Sequence, residues 1–244
     1  MSSFSLQRLQ RFGLRLGSLF RLPDYWKEAL SYSQAGQDVW VYGEVFNQSR
    51  CGFFVDLGAF DGVFLSNTYL LEKRYGWKGI CIEANIQTYE KLVRQRSGIC
   101  VNALVSDVEA QAYISNAGTV SSIVPPGDFL DSGVDKNIFA VRSLPLIRIL
   151  QQHHAPACID YMSVDIEGAE DMALLGFDFD QYMFRCMTIE LPSKELKAKL
   201  ANNGYCLVKE IPGLDSFYVH QSFMDVYREN VHKFYMDYRR IRSQ

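Results

Sequence analysis

Short apolar runs alternate with helix-like segments between residues 53 and 220, and this alternation constrains the fold more than any other feature of the chain. Phe53–Leu57, Gly79–Glu83, Ile99–Val105, Ile159–Asp165 and Cys186–Leu191 read as strands, with helical patterns over Leu65–Lys73 and near Thr88–Gln95. Strands that are apolar along their length and separated by helices specify a parallel sheet covered on both faces. Tyr205–Glu210 and Phe217–His220 flank the Pro-Gly turn IPGLDS, which predicts a terminal antiparallel hairpin. The expected fold class is α/β: a doubly wound, mostly parallel sheet ending in that hairpin.

At 244 residues the chain can bury one full core. Its net charge of −3 excludes general polyanion binding. The six cysteines show no CxxC pair and no metal spacing, and most sit in or beside apolar runs. They read as reduced and buried, which predicts a cytoplasmic protein. No apolar run is long enough to cross a membrane. Arg8, Arg11 and Arg15 interrupt the N-terminal apolar stretch, so it does not read as a signal peptide.

The expected division is an amphipathic helical extension over residues 1–30, a central domain over 31–220 and a helical tail over 221–244. Residues 1–22 set Phe4, Leu9, Phe12, Leu16 and Phe20 among Arg8, Arg11, Arg15 and Arg21. Two readings stay open for such a basic helix: packing on the domain or on a second copy of the chain, and peripheral contact with a membrane surface. The tail offers the same choice. Residues 115–143 break the alternation, being rich in Gly, Ser, Pro and Asp without a period. They read as a lid or substrate-recognition loop, or as disorder.

The first strand runs into DLGAFDG, and glycines at a strand's carboxyl end let the backbone approach a ligand. Glu83 ends the second strand, where an acid can accept both hydroxyls of a ribose. The sequence has neither GxGxxG nor GxxxxGK[ST]. Asp56 would repel a pyrophosphate and suit an ammonium or sulfonium, which favours S-adenosylmethionine over NAD. The core lacks a [DN]PP[YF] tetrapeptide and a basic stripe, which argues against nucleic-acid partners.

Seven stretches, SQAGQD (33–38), FVDLGAFDG (54–62), SNT (66–68), GWKGICIEAN (76–85), VNALVSD (101–107), IDYMSVDIEGAE (159–170) and TIE (188–190), together resemble the FkbM family of S-adenosylmethionine-dependent methyltransferases. The resemblance implies a class I, Rossmann-like methyltransferase fold. It also implies O-methylation of a hydroxyl, most often on a sugar of a glycan or natural product. By the resemblance, Asp56, Gly58, Ala59, Asp61, Gly62, Ser66 and Asn67 hold the methionine part, and Glu83, with Ala84, holds the ribose. Asn102, Ala103 and Asp107 would lie near the adenine, and Gln37 and Asp38 would close over the cofactor.

A sugar hydroxyl has a high pKa, so a base or a metal helps its methylation. Topology places His153 and His154 before the fourth strand and His220 at the far end of an antiparallel strand. Acids remain at the carboxyl edge: Asp165, Glu167 and Glu190 are the catalytic candidates, with Glu210 and Asp215 flanking the turn. Hard oxygen ligands suit a divalent cation such as Mg or Mn, so the same three residues are the metal candidates. The alternative is that Asp165 contacts the cofactor while the two glutamates hold loop backbone. Other readings of the chain are an inactive cofactor-binding module, a nucleotide-sugar or NAD enzyme, and an O-methyltransferase acting on a lipid or polyketide hydroxyl.

Overall fold

The computed structural model describes residues 31–116, 121–123 and 138–242. The basic extension over residues 1–30, and the middle of the irregular 115–143 stretch, lie outside the described residues.

Among the described residues, seven strands form the main sheet: β1 (Phe53–Leu57), β2 (Lys78–Glu83), β3 (Ile99–Asn102), β8 (Cys158–Val164), β9 (Met183–Glu190), β10 (Tyr205–Glu210) and β11 (Asp215–His220). Their order is β10-β11-β9-β8-β1-β2-β3. All neighbours are parallel except β11, which runs antiparallel to both β9 and β10. The strand order reverses between β1 and β8, and such a switch point opens a crevice at the carboxyl ends of the strands.

Both faces of the sheet are covered, which explains why its strands are apolar without alternation. Val55, Leu57, Ile80, Ile82, Met162 and Met187 face one core, closed by α4 (Leu146–Gln152), α5 (Glu170–Leu174) and α6 (Lys194–Asn202). Phe54, Cys81, Tyr161 and Phe217 face the other, closed by α1 (Gln37–Val39), α2 (Tyr69–Tyr75) and α7 (Met224–Arg242). Helix α3 (Ile86–Gln95) follows β2 and starts on the Asn85 side chain, which accepts the Gln87 N–H at 2.9 Å.

The tail helix α7 packs on the domain. Helix α1 continues as a wide π-type turn over Trp40–Val45, and Trp40 meets Phe217 and Tyr227 edge-on. A Cβ on Gly43 would lie 2.6 Å from the Phe234 ring, so glycine lets the two elements close up. Asn230 Nδ2 donates to the Val45 carbonyl at 2.8 Å.

Several expectations need correction. The expected third strand over 99–105 is two strands: β3 ends at Asn102, and β4 (Leu104–Ser106) enters a second sheet of order β4-β7-β5-β6. Asn102 stands at the break, where its side chain donates to the Glu83 and Ala84 carbonyls at 2.8 and 3.0 Å. The irregular stretch contributes to that sheet through β5 (Ala110–Asn116), β6 (Ser121–Ile123) and β7 (Ile138–Pro145). Helix α2 begins at Tyr69 rather than near residue 65, since Gly62 and Leu65 hold positive φ angles of 85° and 53°. Of the six cysteines, Cys81 and Cys186 are buried and Cys100 is half-buried, but Cys51, Cys158 and Cys206 are exposed because they stand at strand ends or on the outer hairpin strand. No helix among the described residues is long and apolar enough to cross a membrane.

Candidate active site

A cavity of about 430 Å³ opens over the carboxyl ends of β1, β2 and β8, within the range of small-molecule sites. Asp56, Gly58, Ala59, Ser66, Asn67, Glu83, Ala84, Ala103, Asp165 and Glu167 line it. Gln37, Asp61, Gly62, Asn102, Asp107 and Glu190 do not. Gln34, Thr88, Ser163, the aromatics Phe60 and Phe64, and Leu104, Val105 and Ile114 of the second sheet join the lining without having been singled out in the sequence.

Gly58 shows why the turn after β1 needs glycine. Its φ is 84°, and an added Cβ would lie 1.8 Å from the Asp165 carbonyl oxygen. The turn therefore presses directly on the end of β8, where Asp165 N–H donates to the Leu57 carbonyl at 3.0 Å. Glu83 accepts the Phe60 N–H at 2.9 Å and the Asn85 N–H at 2.7 Å, one on each carboxylate oxygen. It thus holds the loops on both sides of the cavity while keeping lone pairs for a ligand hydroxyl. Burial raises its pKa, and the backbone donors pull it back.

Asp61 accepts the Val63 and Phe64 N–H groups at 3.0 and 2.8 Å, so it shapes the loop that presents Phe64. Gln37 accepts the Ala35 N–H at 2.8 Å and donates its amide to Asp215. Asp38 is buried and bound by Ser31, Ser33 and the Tyr32 N–H, anchoring the segment that brings Gln34 to the cavity. Asp107 is exposed, beside Gly176.

The acids gather on the other side. Asp165, Glu167 and Glu190 each offer a carboxylate oxygen within 4.8 Å of the others. Asp215 is buried and stands opposite Glu190 in the β11–β9 register. Glu167 holds a left-handed φ of 55°, fixed by Glu170, whose carboxylate accepts the Ile166 and Gly168 N–H groups at 3.3 and 3.1 Å. Withdrawal from water, then the neighbouring Glu190, Asp215 and Glu167 carboxylates, push the Asp165 pKa well up; a hydrogen bond to Glu190 adds to this. His220, by contrast, pairs with Tyr205 at the start of β10, at the opposite edge of the sheet.

The sequence profile of the FkbM methyltransferase domain matches residues 56–206, more than half of the chain. The chain belongs to the FkbM methyltransferase family. Family membership and sheet order together make this a class I, Rossmann-like methyltransferase of the S-adenosylmethionine-dependent kind. The cavity residues fit S-adenosylmethionine: Glu83 would accept ribose hydroxyls, Gly58 makes a tight turn, and Ile82, Leu104 and Val105 form an apolar wall. Among solved structures, the METTL16 methyltransferase domain shares 14% identity with a TM-score of 0.45, over 85% of this chain and 78% of that one. An FkbM methyltransferase from Methylobacillus flagellatus KT shares 14% identity with a TM-score of 0.46, over 88% of this chain and 60% of that one. Aeropyrum pernix fibrillarin, solved with natively bound S-adenosyl-L-methionine, shares 13% identity with a TM-score of 0.37, over 70% of this chain and 67% of that one. Among curated proteins none matches this chain in sequence.

Proposed function

We propose that this FkbM protein is an O-methyltransferase acting on a hydroxyl of a carbohydrate, in a glycan or a glycosylated natural product. The observation that carries the reading is the carboxylate cluster at the cavity: Asp165 and Glu167 line it, and Glu190 completes the set within 4.8 Å. When bound, the cofactor supplies an activated methyl group on a sulfonium. Transfer to oxygen then needs an in-line approach and somewhere for the hydroxyl proton to go. Crowding by neighbouring carboxylates raises the Asp165 pKa, which suits this end of the cavity to accept the proton released by the acceptor. Phe60 and Phe64 add an apolar face at the same cavity, a suitable partner for the C–H face of a sugar ring.

A second form of the reading places a divalent cation, Mg or Mn, on Asp165, Glu167 and Glu190, three hard oxygen donors close enough to share one ion. Purified protein supplied with methyl-labelled S-adenosylmethionine and glycan fractions tests both forms. Label in a sugar methyl ether supports the carbohydrate reading, and label in lipid or polyketide ethers overturns it. Turnover abolished by EDTA and restored by Mg or Mn selects the cation-assisted form.

A further inference from the structure

Two buried residues that do not line the cavity hold together three parts of the chain that shape it. The Arg96 side chain is fully buried at the end of α3. Its Nη1 donates to the Gly62 carbonyl at 3.2 Å and to Ser66 Oγ at 3.3 Å, and its Nη2 donates to Thr68 Oγ1 at 2.8 Å. Its Nε donates to Glu72 Oε2 at 2.7 Å, which neutralises it. Thr68 Oγ1–H in turn donates to Asp56 Oδ2 at 2.5 Å.

Asp56 receives a second arm from the opposite side. Ser163 stands opposite Asp56 in the β1–β8 register and helps pull its pKa down, and Asn67 Nδ2 donates to Ser163 Oγ at 2.9 Å. An ionised Asp56 only accepts, so both arms must point toward it: Arg96 to Thr68 to Asp56, and Asn67 to Ser163 to Asp56. This polarity fixes the Asn67 amide, because its NH2 is committed to Ser163. Its Oδ1, buried and without a protein partner among the described residues, becomes the spare acceptor of a residue on the cavity wall.

We propose that Arg96 and Thr68 are positioning residues for the cofactor, acting through Asp56 and Ser163 to orient the Asn67 side chain, on Ser66 directly, and through Gly62 to hold the cavity loop. Asp56 is then a hub that directs hydrogen bonds rather than the group that meets the ligand's ammonium. The inference rests on the reading of the cavity as the S-adenosylmethionine site. A guanidinium is required because one planar group must reach the Gly62 carbonyl, Ser66 and Thr68 on one side and Glu72 on the other, which an ammonium cannot do.

The test is titration calorimetry of the full chain with S-adenosylmethionine, run well below each variant's melting temperature so that all protein is folded. Thr68→Val keeps the shape and removes the relay hydroxyl. It should bind about tenfold more weakly, as expected for loss of a hydrogen bond to a charged group. Thr68→Ser should restore binding to within a few-fold, whereas Arg96→Lys should not reach wild-type affinity. A role confined to stability would lower melting temperatures and leave the affinity of the folded protein unchanged. Folded Thr68→Val binding within twofold of wild type overturns the relay. Should Thr68→Val fail to fold, Thr68→Cys, a weak donor of similar size, is held to the same standard. Wild-type protein that binds no S-adenosylmethionine overturns the cofactor site itself, a distinct outcome.

Discussion

The two halves of the carboxyl edge handle buried acids in opposite ways. On the β1–β2 side, Asp56 is met by Thr68 and Ser163 with Arg96 nearby, and Glu83 by two backbone N–H groups. On the β8–β9–β11 side, Asp165, Glu167, Glu190 and Asp215 crowd one another, and their mutual repulsion raises the Asp165 pKa further than burial alone. Donors aimed at a carboxylate fix its charge and geometry, which suits holding a ligand. Carboxylates aimed at each other make protonation easy to change, which suits moving a proton. On the proposed reading, one edge of one sheet separates binding from chemistry.

The largest expected effect would break this separation if it failed. Asp165→Asn, Glu167→Gln and Glu190→Gln should each lower turnover about 10²–10⁴-fold, the range for removing a general base. The two glutamate variants should still bind S-adenosylmethionine in calorimetry, while Asp165→Asn also weakens the cofactor through its place on the cavity. Normal turnover in the glutamate variants would move the chemistry elsewhere.

Glu83→Ala should weaken S-adenosylmethionine binding by about 1–3 kcal/mol, the cost of losing charged hydrogen bonds. Part of that loss is indirect, because the Phe60 and Asn85 N–H groups lose their acceptor. Glu83→Gln should fall between the two. Unchanged affinity in folded Glu83→Ala would remove the residue from the binding half.

The crowding of the acids should also show in the response to pH. The Asp165 pKa is raised in the folded protein, so its contribution to stability is fully present below the ordinary carboxylate pKa and is lost as pH rises through the raised value. Asp165→Asn should therefore flatten the fall of melting temperature with rising pH. Glu44, pushed up to about 7 by burial with Lys209 pulling it back, contributes with the same sign, and Glu44→Gln separates its share. A wild-type melting temperature that rises through neutral pH would contradict the crowding of the acids.

The smallest effect falls on the histidines. His153→Ala, His154→Ala and His220→Ala should leave turnover within a few-fold of wild type, because His153 and His154 precede β8 and His220 ends β11 at the opposite edge from the cavity. A folded but inactive His220→Ala enzyme would overturn the assignment of acids to catalysis.

Much of this was legible without coordinates, and the reason is local. The runs at 53–57 and 79–83 show their burial in composition alone, and chain direction places Asp56, Glu83, Asp165 and Glu190 at one edge once the strands are parallel. The Pro-Gly turn at 212–213 likewise announces the reversal that sends His220 away. What lay beyond the sequence is non-local. Strand β4 leaves the main sheet to pair with β7 some 40 residues on, as Leu104↔Ser143 shows, and no period in 99–105 signals that change of partner. Gln37 meets Asp215, 178 residues away. Arg96 follows helix α3 with no pattern around it that signals burial, yet it is buried among groups from residues 62 to 72. Periodicity reports which side of an element is buried. Only the tertiary packing decides which distant group meets it there, because hydrogen bonds and charge interactions act through space and leave no mark on the neighbouring sequence.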